Sequence, residues 1–436
     1  MKEYPAWRIV VLFLGLLVLP LLAVGEPPAD ATLRAVIIVS RHGVRAPLDE
    51  PDKLAPYSAQ PWPKWSASPG YLTARGKQLV ALMGAYYRAR YVAAGLLTGD
   101  PAVDRDRVYF RTNNFERTME TGRGLAQGLL DDANPDLHTL PDGAVDPLFV
   151  PAKIRLGAPD EALAVAAVRG RLGADPAAFA RTYRSQFAKL HHILFGDDPA
   201  ALSPGKIRLL DLPMGVKPGE GNDLIGTTGS LNLAKTFIEN LMLEYAEGMP
   251  AADVGWGRVD RADFADLAQL HALDFSLAHG TYYVAQAQIS NMASHVLQTL
   301  EQAAAGHAVP GAIGPPSARL VVLAGHDMNL ISLAGLLNLD WSVDSLPMSP
   351  ALPGGALVFE LWRHPDARFF VRTSYMTQTL EQLRAAAPLT LASPPAIAPV
   401  FIPGCSTSGP DYEAPLEQFA ARWRQAIDPR FVAPQP

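Results

Sequence analysis

The chain of 436 residues is long for a single domain, and 49% of its residues are hydrophobic against 18% charged. This composition is typical of a globular protein with two domains, or with one domain that carries a large insertion. A net charge of −6 argues against a nucleic-acid or anionic membrane partner, so a local cluster of positive charge becomes the more informative signal.

The first 25 residues are typical of an export signal. Lys2 and Arg8 precede the apolar stretch 9–24, and small residues around 23–25 offer a cleavage position, with 29–31 as a second candidate. The stretch is shorter than the ~20 residues of a membrane-spanning helix and contains Pro20, which favours a cleaved signal over an anchor. We therefore expect a periplasmic or secreted protein with no stable membrane association after cleavage.

The predicted elements begin with a strand, a loop and a helix. The β-branched run 33–40 predicts a strand buried on both faces of a sheet. Prolines recur through 47–69 and predict an irregular loop. Apolar residues at helical spacing then predict a helix over 73–97, with the Thr73 hydroxyl as its N-cap.

A second strand and helix follow, and then the pattern changes. The stretch 108–112 predicts a strand, and 113–130 predicts a helix with Asn113 as its N-cap and Glu116 three positions later. From about 146 to 290 strand signals fade and Ala-rich helical segments dominate, which predicts an all-helical insertion.

Strand signals return in the last third of the chain. The apolar run 318–325 predicts a buried strand followed by a helix, and 356–362 with 368–376 predicts a hairpin. Strands that alternate with helices indicate an α/β fold with a largely parallel sheet, which the helical block interrupts.

Charged residues follow three of the predicted strands. In open α/β sheets ligand sites form at the carboxyl ends of the strands, so residues far apart in sequence share one pocket there. The string R-H-G-x-R-x-P is expected by chance in roughly one of ten thousand sequences of this length at about 5% usage of each residue type. The residues that this geometry brings together are Arg41, His42, Arg45, Arg117, His326 and Asp327.

This set of side chains suits a phosphate ester. Guanidinium groups match phosphate oxygens bidentately, and three of them can replace metal ions in stabilising phosphoryl transfer. A histidine nitrogen can act as nucleophile through a phosphohistidine, and Asp327 is placed to protonate the leaving alkoxide. Because Asp327 must carry a proton for that step, we expect the best activity at acidic pH.

Other interpretations of the same residues are weaker. An Arg-His-Gly tripeptide alone is typical of an ordinary loop, and a His-Asp pair after a strand also occurs as a helix cap. A metal site of His42, His326 and Asp327 is disfavoured because the adjacent arginines would repel the cation. Cys405, the only cysteine, excludes an intramolecular disulfide and zinc sites built on paired cysteines.

Three motifs resemble those of a known family. VSRHGVRAP at 39–47, FERTMETG at 115–122 and AGHDMNL at 324–330 together resemble the histidine acid phosphatases, a branch of the histidine phosphatase superfamily. The similarity is greatest to the periplasmic bacterial type, which includes acid phosphatases, phytases and glucose-1-phosphatases.

The resemblance implies a phosphoglycerate-mutase-like, three-layer α/β domain with a mainly parallel sheet and an inserted all-α domain. The domains that we expect are a signal peptide at 1–25, a catalytic domain at 32–145 and 291–436, and the insertion at 146–290.

The resemblance also implies roles for the site residues. It makes His42 the nucleophile and Asp327 the proton donor, with no cofactor and no metal. The residues that it assigns to phosphate binding are Arg41, Arg45, Arg117 and His326.

Departures from the family pattern bear on the substrate. Leu48 and Asp49 stand where bacterial phytases have a Thr-Lys pair, and Asp49 would repel a polyphosphorylated inositol. Leu48 resembles the residue of the sugar-phosphate phosphatases, and Met328 stands where phytases usually have a threonine.

Three further positions lie in the predicted insertion. Gln288 aligns with a basic residue of the phytases, whereas Lys235 restores some positive charge and Glu239 keeps a position typical of the family. We therefore interpret Leu48, Asp49, Lys235, Glu239 and Met328 as candidate specificity residues.

These observations predict an exported, metal-independent acid phosphatase with broad or sugar-phosphate specificity. A phytase is the alternative, and a metal-dependent phosphoesterase or a non-catalytic phosphate-binding protein is a weaker one. The expected partner is a small-molecule phosphate monoester and not a nucleic acid, and no oligomeric state follows from the sequence.

Overall fold

A computed structural model describes residues 31–433 except 174, 199–201, 203 and 348, so the predicted signal peptide lies outside the described residues. The strands are β1 Thr32–Arg41, β2 Val108–Thr112, β3 Leu137–His138, β4 Gly215–Pro218, β5 Ile225–Thr228, β6 Leu320–Gly325, β7 Ala356–Arg363, β8 Phe369–Thr377, β9 Ala396–Pro399 and β10 Ala414–Pro415.

Helices separate most of these strands. They are α1 Pro51–Leu54, α2 Ala74–Ala93, α3 Pro101–Asp104, α4 Glu116–Leu130, α5 Glu161–Leu172, α6 Pro176–Thr182, α7 Arg184–Phe195, α8 Ser230–Ala246, α9 Asp263–Ala278, α10 Tyr282–Ala305, α11 Asp327–Leu337, α12 Leu380–Ala385 and α13 Leu416–Ala426. Within the described part of the chain, none of them is long and apolar enough to cross a bilayer.

Eight of the strands form one mixed sheet in the order β10-β8-β7-β1-β6-β2-β3, with β9 paired to β8. The strands β1, β6, β2 and β3 run parallel to one another, whereas β7 runs antiparallel to β1 and forms the expected hairpin with β8. The predicted α/β class is confirmed. The parallel half of the sheet places the carboxyl ends of β1, β6 and β2 side by side.

Alternate residues of β1 face two different cores. Ile37 and Val39 pack among apolar residues of α10, α11 and α13, whereas Val36 and Ile38 pack among those of α2 and α4. All four side chains are buried, as the continuous β-branched run predicts for a strand covered on both faces. The sheet is therefore the middle of three layers.

The block 146–290 is helical except for one hairpin. Helices α5 to α9 fall inside it, but β4 and β5 pair antiparallel within it, so the predicted all-helical character is wrong at that place. The expected boundary at 290 falls inside the single helix α10. Apolar residues of the block pack together with Trp62 and Leu380 from outside it, and the domain limits stay a prediction.

Candidate active site

The carboxyl ends of three parallel strands bring the expected residues together. Arg41 is the last residue of β1 and pairs in register with Gly325 of β6, next to His326. The His42 N–H donates to the Gly325 carbonyl at 3.0 Å, and the His42 carbonyl accepts the Gly354 N–H at 2.9 Å. The backbone around His42 is thus held by two neighbouring strands or their ends.

His42 is buried and uncharged. Burial lowers its pKa well below the ordinary value, and the charges of Arg117, Arg41 and Arg45 lower it further. Its Nδ1 lies 2.9 Å from the Gly43 carbonyl oxygen, which can only accept, so Nδ1 carries the proton. The Nε2 atom therefore holds the free lone pair, which is the form that a nucleophile needs.

Arg41 is fully buried, and both terminal nitrogens of its guanidinium have hydrogen-bond partners. Nη1 donates to the Ala351 carbonyl, and Nη2 donates to Glu239 and lies 3.1 Å from Asp327 Oδ2. Burial lowers the pKa of Arg41, but the charges of Glu239 and Asp327 outweigh burial and raise it. Its geometry is thus fixed before any substrate binds.

Glu239 of α8 links the helical block to the strand ends. Its Oε1 accepts from Arg41 and, at 3.0 Å, from Arg45, and its Oε2 lies 2.8 Å from His271 Nε2. Burial raises the pKa of Glu239, but the Arg41 charge, the hydrogen bond with His271 and the Arg45 charge together outweigh burial and hold the pKa well below its usual value. Glu239 was expected to choose the substrate, and its contacts show that it anchors two of the arginines that are expected to bind phosphate.

The other two arginines are crowded cations. Burial lowers the pKa of Arg45. Burial, with the neighbouring charge of Arg45, lowers the pKa of Arg117 to about 10. The Arg117 guanidinium lies over the Phe115 ring at 4.9 Å, and its buried Nε has no hydrogen-bond partner among the described residues. An anion bound beside these groups would relieve both the crowding and the missing partner.

Asp327 begins helix α11 and does not hold its proton readily in the free protein. Burial raises its pKa most, but the neighbouring cations, Arg41 first and then Arg45, together outweigh burial, so the net pKa lies below the ordinary value. Its Oδ1 also accepts the Met328 N–H at 2.8 Å. The protonated ground state that we expected for Asp327 is therefore not favoured until a ligand changes the local charge.

His326 is held between β2 and α4. Its Nε2 lies 2.8 Å from Asn113 Nδ2 and its Nδ1 lies 3.4 Å from Arg117 Nη2. Burial and the Arg117 charge lower the pKa of His326 to about 3, so its ring is neutral. The six expected residues thus form one site, in which the His42 and His326 rings are 5.8 Å apart.

The expected N-cap at Asn113 is wrong. Helix α4 begins at Glu116, its N-cap residue Phe115 makes no side-chain capping bond, and Glu116 accepts the Leu72 N–H at 2.9 Å instead. The Asn113 side chain binds His326, a partner 213 positions away that local sequence patterns do not reveal.

The N-cap predicted at Thr73 is confirmed, since its hydroxyl accepts the Gly76 N–H.

Two more site residues were not predicted. Thr121 accepts the N–H of Gly43 at 3.0 Å and so fixes the backbone beside His42. His271 supports Glu239. Thr121 stands in the FERTMETG motif, so the sequence contained a signal for it, whereas His271 lies in a helical segment without a recognisable motif.

The expected specificity residues occupy different environments. Leu48 is exposed, and a Cβ added to Gly70 would lie 3.2 Å from Leu48 Cδ2 and 3.8 Å from Arg117 Nη1, so Leu48 borders the site. Asp49 follows Leu48 in the chain, and its Oδ1 atom lies 3.8 Å from Lys53 Nζ. Lys235 is half-buried one turn before Glu239 on α8.

The remaining two positions are buried. Met328 follows Asp327 and is only 6% exposed. Gln288 is fully buried in α10, within hydrogen-bond distance of His279 and Ser332, so it has no surface to offer a substrate. Over the described residues, no group of three or more His, Cys, Asp and Glu side chains is arranged to hold a metal ion.

Comparison with known proteins agrees with this geometry. The sequence model of the histidine phosphatase superfamily (branch 2) matches residues 32–192 and 220–376. Phytase AppA of Escherichia coli (strain K12) is 33% identical over 408 residues, which are 91% of this chain and 93% of the relative. Glucose-1-phosphatase of Providencia rettgeri is 28% identical over 381 residues, covering 86% and 88% of the two chains.

Solved structures show the same fold. Hafnia alvei phytase in complex with myo-inositol hexakis sulphate superposes with a TM-score of 0.83 at 31% identity, over 94% of this chain and 100% of that one. The phytase from Citrobacter braakii superposes with a TM-score of 0.83 at 28% identity, over 92% and 100%. The chain belongs to branch 2 of the histidine phosphatase superfamily and is a hydrolase of phosphate monoesters.

Proposed function

We propose that the protein is an exported, metal-independent acid phosphatase that works through a phosphohistidine on Nε2 of His42. The observation that carries the proposal is a neutral histidine whose free Nε2 stands among three guanidinium groups, with Asp327 bound to one of them. Arginines that are already positioned can stabilise the charge of a transferring phosphoryl group, which is the task that metal ions perform in other phosphatases.

The reaction has two steps. In the first, the Nε2 lone pair forms a bond to phosphorus, the ester P–O bond breaks, and the leaving oxygen takes a proton from Asp327. In the second, the Asp327 carboxylate takes a proton from water as the water oxygen attacks phosphorus and the P–N bond breaks. Inorganic phosphate leaves, and His42 and protonated Asp327 are restored.

Charge balance supports the proton on Asp327 during catalysis. The three guanidinium groups of Arg41, Arg45 and Arg117 face the two carboxylates of Glu239 and Asp327, which leaves one net positive charge. A bound phosphate dianion brings two negative charges, so the site with its ligand has a net charge of minus one. A proton on Asp327 makes the occupied site neutral. Activity that is best at acidic pH follows from this balance.

A pocket beside the site bears on the alcohol part of the substrate. It has a volume of about 500 Å³ and begins at Ala46 and Pro47, directly after Arg45. Trp62, Trp65 and several prolines form its apolar wall. Its lining carries three carboxylates against one lysine, Lys64; the carboxylates are Asp49, Glu50 and Asp52.

Acidic groups around an aromatic wall suit an uncharged alcohol and repel one that carries further phosphates. We therefore propose a broad or sugar-phosphate specificity.

Phytate hydrolysis is the second candidate. A phytase is among the relatives at 33% identity, and a phytase bound to an inositol hexasulphate shares the fold at a TM-score of 0.83. Lys235 favours it as well, because this half-buried cation forms no ion pair with any carboxylate in the described part of the chain.

The experiment compares wild type with His42→Ala on p-nitrophenyl phosphate, glucose 1-phosphate and phytate across acidic pH. We expect the wild type to be active after exhaustive EDTA treatment and to yield an acid-labile phosphohistidine on rapid quenching. The His42→Ala variant should lose at least about 10³-fold in kcat, as expected when a covalent nucleophile is removed. Retained turnover in His42→Ala would refute the mechanism, and a strong preference for phytate would refute the proposed specificity.

Export has its own test. We expect full-length protein made in a Gram-negative host to be released by osmotic shock, with an N-terminus within the small-residue stretches near 23–31. Recovery only from the cytosol of lysed spheroplasts, with the N-terminus intact, would contradict export, whereas an intact N-terminus in the membrane fraction would indicate an uncleaved anchor.

A further inference from the structure

Asn113 is a fully buried amide at the end of β2, beside the phosphate-binding residues. Its backbone N–H donates to the Ala324 carbonyl at 3.0 Å, and its carbonyl accepts the Thr118 hydroxyl at 2.7 Å. The side chain is therefore attached to a rigid backbone, and its Nδ2 lies 2.8 Å from His326 Nε2.

The orientation of the Asn113 amide is fixed by a second contact. The backbone N–H of Asn114 donates to Asn113 Oδ1 at 2.8 Å. If the amide were turned over, its NH₂ group would face that N–H and two donors would meet. Nδ2 therefore faces His326, and because an amide nitrogen only donates, His326 Nε2 must be the acceptor.

This contact decides where the His326 proton is. A neutral imidazole carries one proton, so with Nε2 accepting, the proton is on Nδ1. Nδ1 also lies within hydrogen-bond distance, 3.4 Å, of Arg117 Nη2, which is itself only a donor. A neutral ring accepts at one nitrogen only, and the shorter contact, at 2.8 Å to Asn113, assigns that role to Nε2. Two N–H donors thus stand side by side with no acceptor between them, and a phosphate oxygen would satisfy both.

We propose that Asn113 is a positioning residue that keeps His326 in the neutral Nδ1–H form, so that this ring donates to the substrate phosphate without adding a fourth positive charge. The proposal rests on the phosphatase function proposed above and adds to it the tautomer of one ligand and the residue that sets it. An aspartate at position 113 would reverse the arrangement, because a carboxylate accepts from Nε2–H and favours the imidazolium.

The charged and titratable groups that face His326 come from several elements. They are Arg41, His42 and Arg45 near β1, Arg117 on α4 and Asp327 on α11. None of them is altered by a substitution at position 113, so a change in the titration of His326 reports on the amide.

The first test reads the tautomer directly. In protein labelled with ¹⁵N in its histidine rings, with His326→Gln used for assignment, we expect a protonated Nδ1 and a bare Nε2 throughout the acidic range. Asn113→Asp should convert the ring to an imidazolium or to the Nε2–H form. A protonated Nε2 in the wild type would overturn the proposal. The NMR measurement does not depend on catalytic turnover, so its failure can be distinguished from failure of the proposed phosphatase function.

The second test measures competitive inhibition by inorganic phosphate as a function of pH. In Asn113→Asp the Nδ1 lone pair faces the phosphate once the ring loses its extra proton, so affinity should fall by about 10-fold or more on the alkaline side and recover in acid. Asn114→Asp is the matched control: it adds the same charge one position away, where the Asn114 side chain contacts only Pro141 and Ala144 carbonyls.

A structural role and a positioning role for Asn113 give different pH profiles. If the wild-type-to-variant affinity ratio is the same at every pH, or if Asn114→Asp gives the same profile, Asn113 has only a structural role and the proposal fails.

Discussion

In the proposed mechanism Asp327 must carry a proton when the leaving group departs. In the free protein it pairs with Arg41 at 3.1 Å, and its pKa lies below the ordinary value because Arg41, together with Arg45, outweighs burial. A bound dianion competes for Arg41 and adds negative charge beside the carboxylate. Both effects raise the pKa of Asp327, so binding and protonation are linked.

Sulfate tests this linkage because it stays a dianion at about pH 5.5 and brings no proton of its own. Calorimetric titration in buffers of different ionisation enthalpy should show uptake of close to one proton for each sulfate bound. Asp327→Asn should abolish the uptake, whereas His42→Ala, which keeps the carboxylate, should retain it. Binding of sulfate to the wild type without proton uptake would contradict the charge balance.

The convergence of the proposed reacting residues was predictable, and their hydrogen-bond partners were not. Arg41, His42 and Asp327 are recognisable because residue type carries the chemistry and the carboxyl ends of parallel strands converge. Glu239 and Asn113 act on groups 198 and 213 positions away, and nothing in their local sequence indicates such a partner. Asn113 has the features of a helix cap, and tertiary hydrogen bonding overrides that local preference.

At the scale of elements, the packing of α2 against α4 positions one side of the site. Both helices lie on the same face of the sheet, and α4 carries Arg117 and Thr121. Their close approach depends on glycine: a Cβ on Gly128 would lie 1.9 Å from the Ala81 carbonyl oxygen, and one on Gly84 would lie 2.2 Å from that of Leu125. Backbone atoms cannot move aside as a flexible side chain can.

We expect Gly128→Ala to destabilise the protein by at least about 2 kcal/mol, because the added methyl group forces the two backbones apart. The matched control is Gly170→Ala in α5, where a Cβ meets nothing within 4 Å. That substitution should instead stabilise the fold by ~0.5–1 kcal/mol, the helix preference of Ala over Gly. Urea unfolding of both variants measures the difference, and equal stabilities would show that the helix contact is not tight.

The prediction of elements was most successful where a single pattern persisted over many residues. The strand at 33–40, the helix capped by Thr73 and the hairpin of β7 with β8 follow from such patterns. The hairpin of β4 with β5 was missed because each of its strands has only four residues, which is too short for a period of two to be recognised. Both strands also lie in a Gly- and Pro-rich part of the sequence.

At the scale of the whole molecule, one buried acid makes stability depend on pH. Glu244 of α8 is 1% exposed, its Oε2 accepts the Gly255 N–H at 3.0 Å, and its Oε1 is buried with no partner among the residues described. Burial, followed by the charge of Asp253, raises the pKa of Glu244 to about 8. The folded protein therefore keeps this proton under conditions in which the unfolded chain has lost it.

The sign of the effect follows from proton counts. Between the unfolded pKa near 4.3 and the folded value of about 8, the folded state binds more protons than the unfolded state, so stability falls as pH rises. Each pH unit in that interval costs up to about 1.4 kcal/mol, a total of a few kcal/mol by neutral pH. Stability greatest in acid agrees with the proposed mechanism, which needs a proton on Asp327.

We therefore expect Glu244→Gln to match the wild-type Tm in acid and to exceed it progressively toward pH 8, because glutamine keeps an acceptor for Gly255 and does not ionise. Exposed Glu50→Gln is the control for the loss of one carboxylate and should leave the pH dependence unchanged. Thermal unfolding at a series of pH values measures both. A Tm difference between Glu244→Gln and wild type that is constant with pH would show that Glu244 ionises freely in the folded protein, and that the acid preference of this molecule lies in its active site alone.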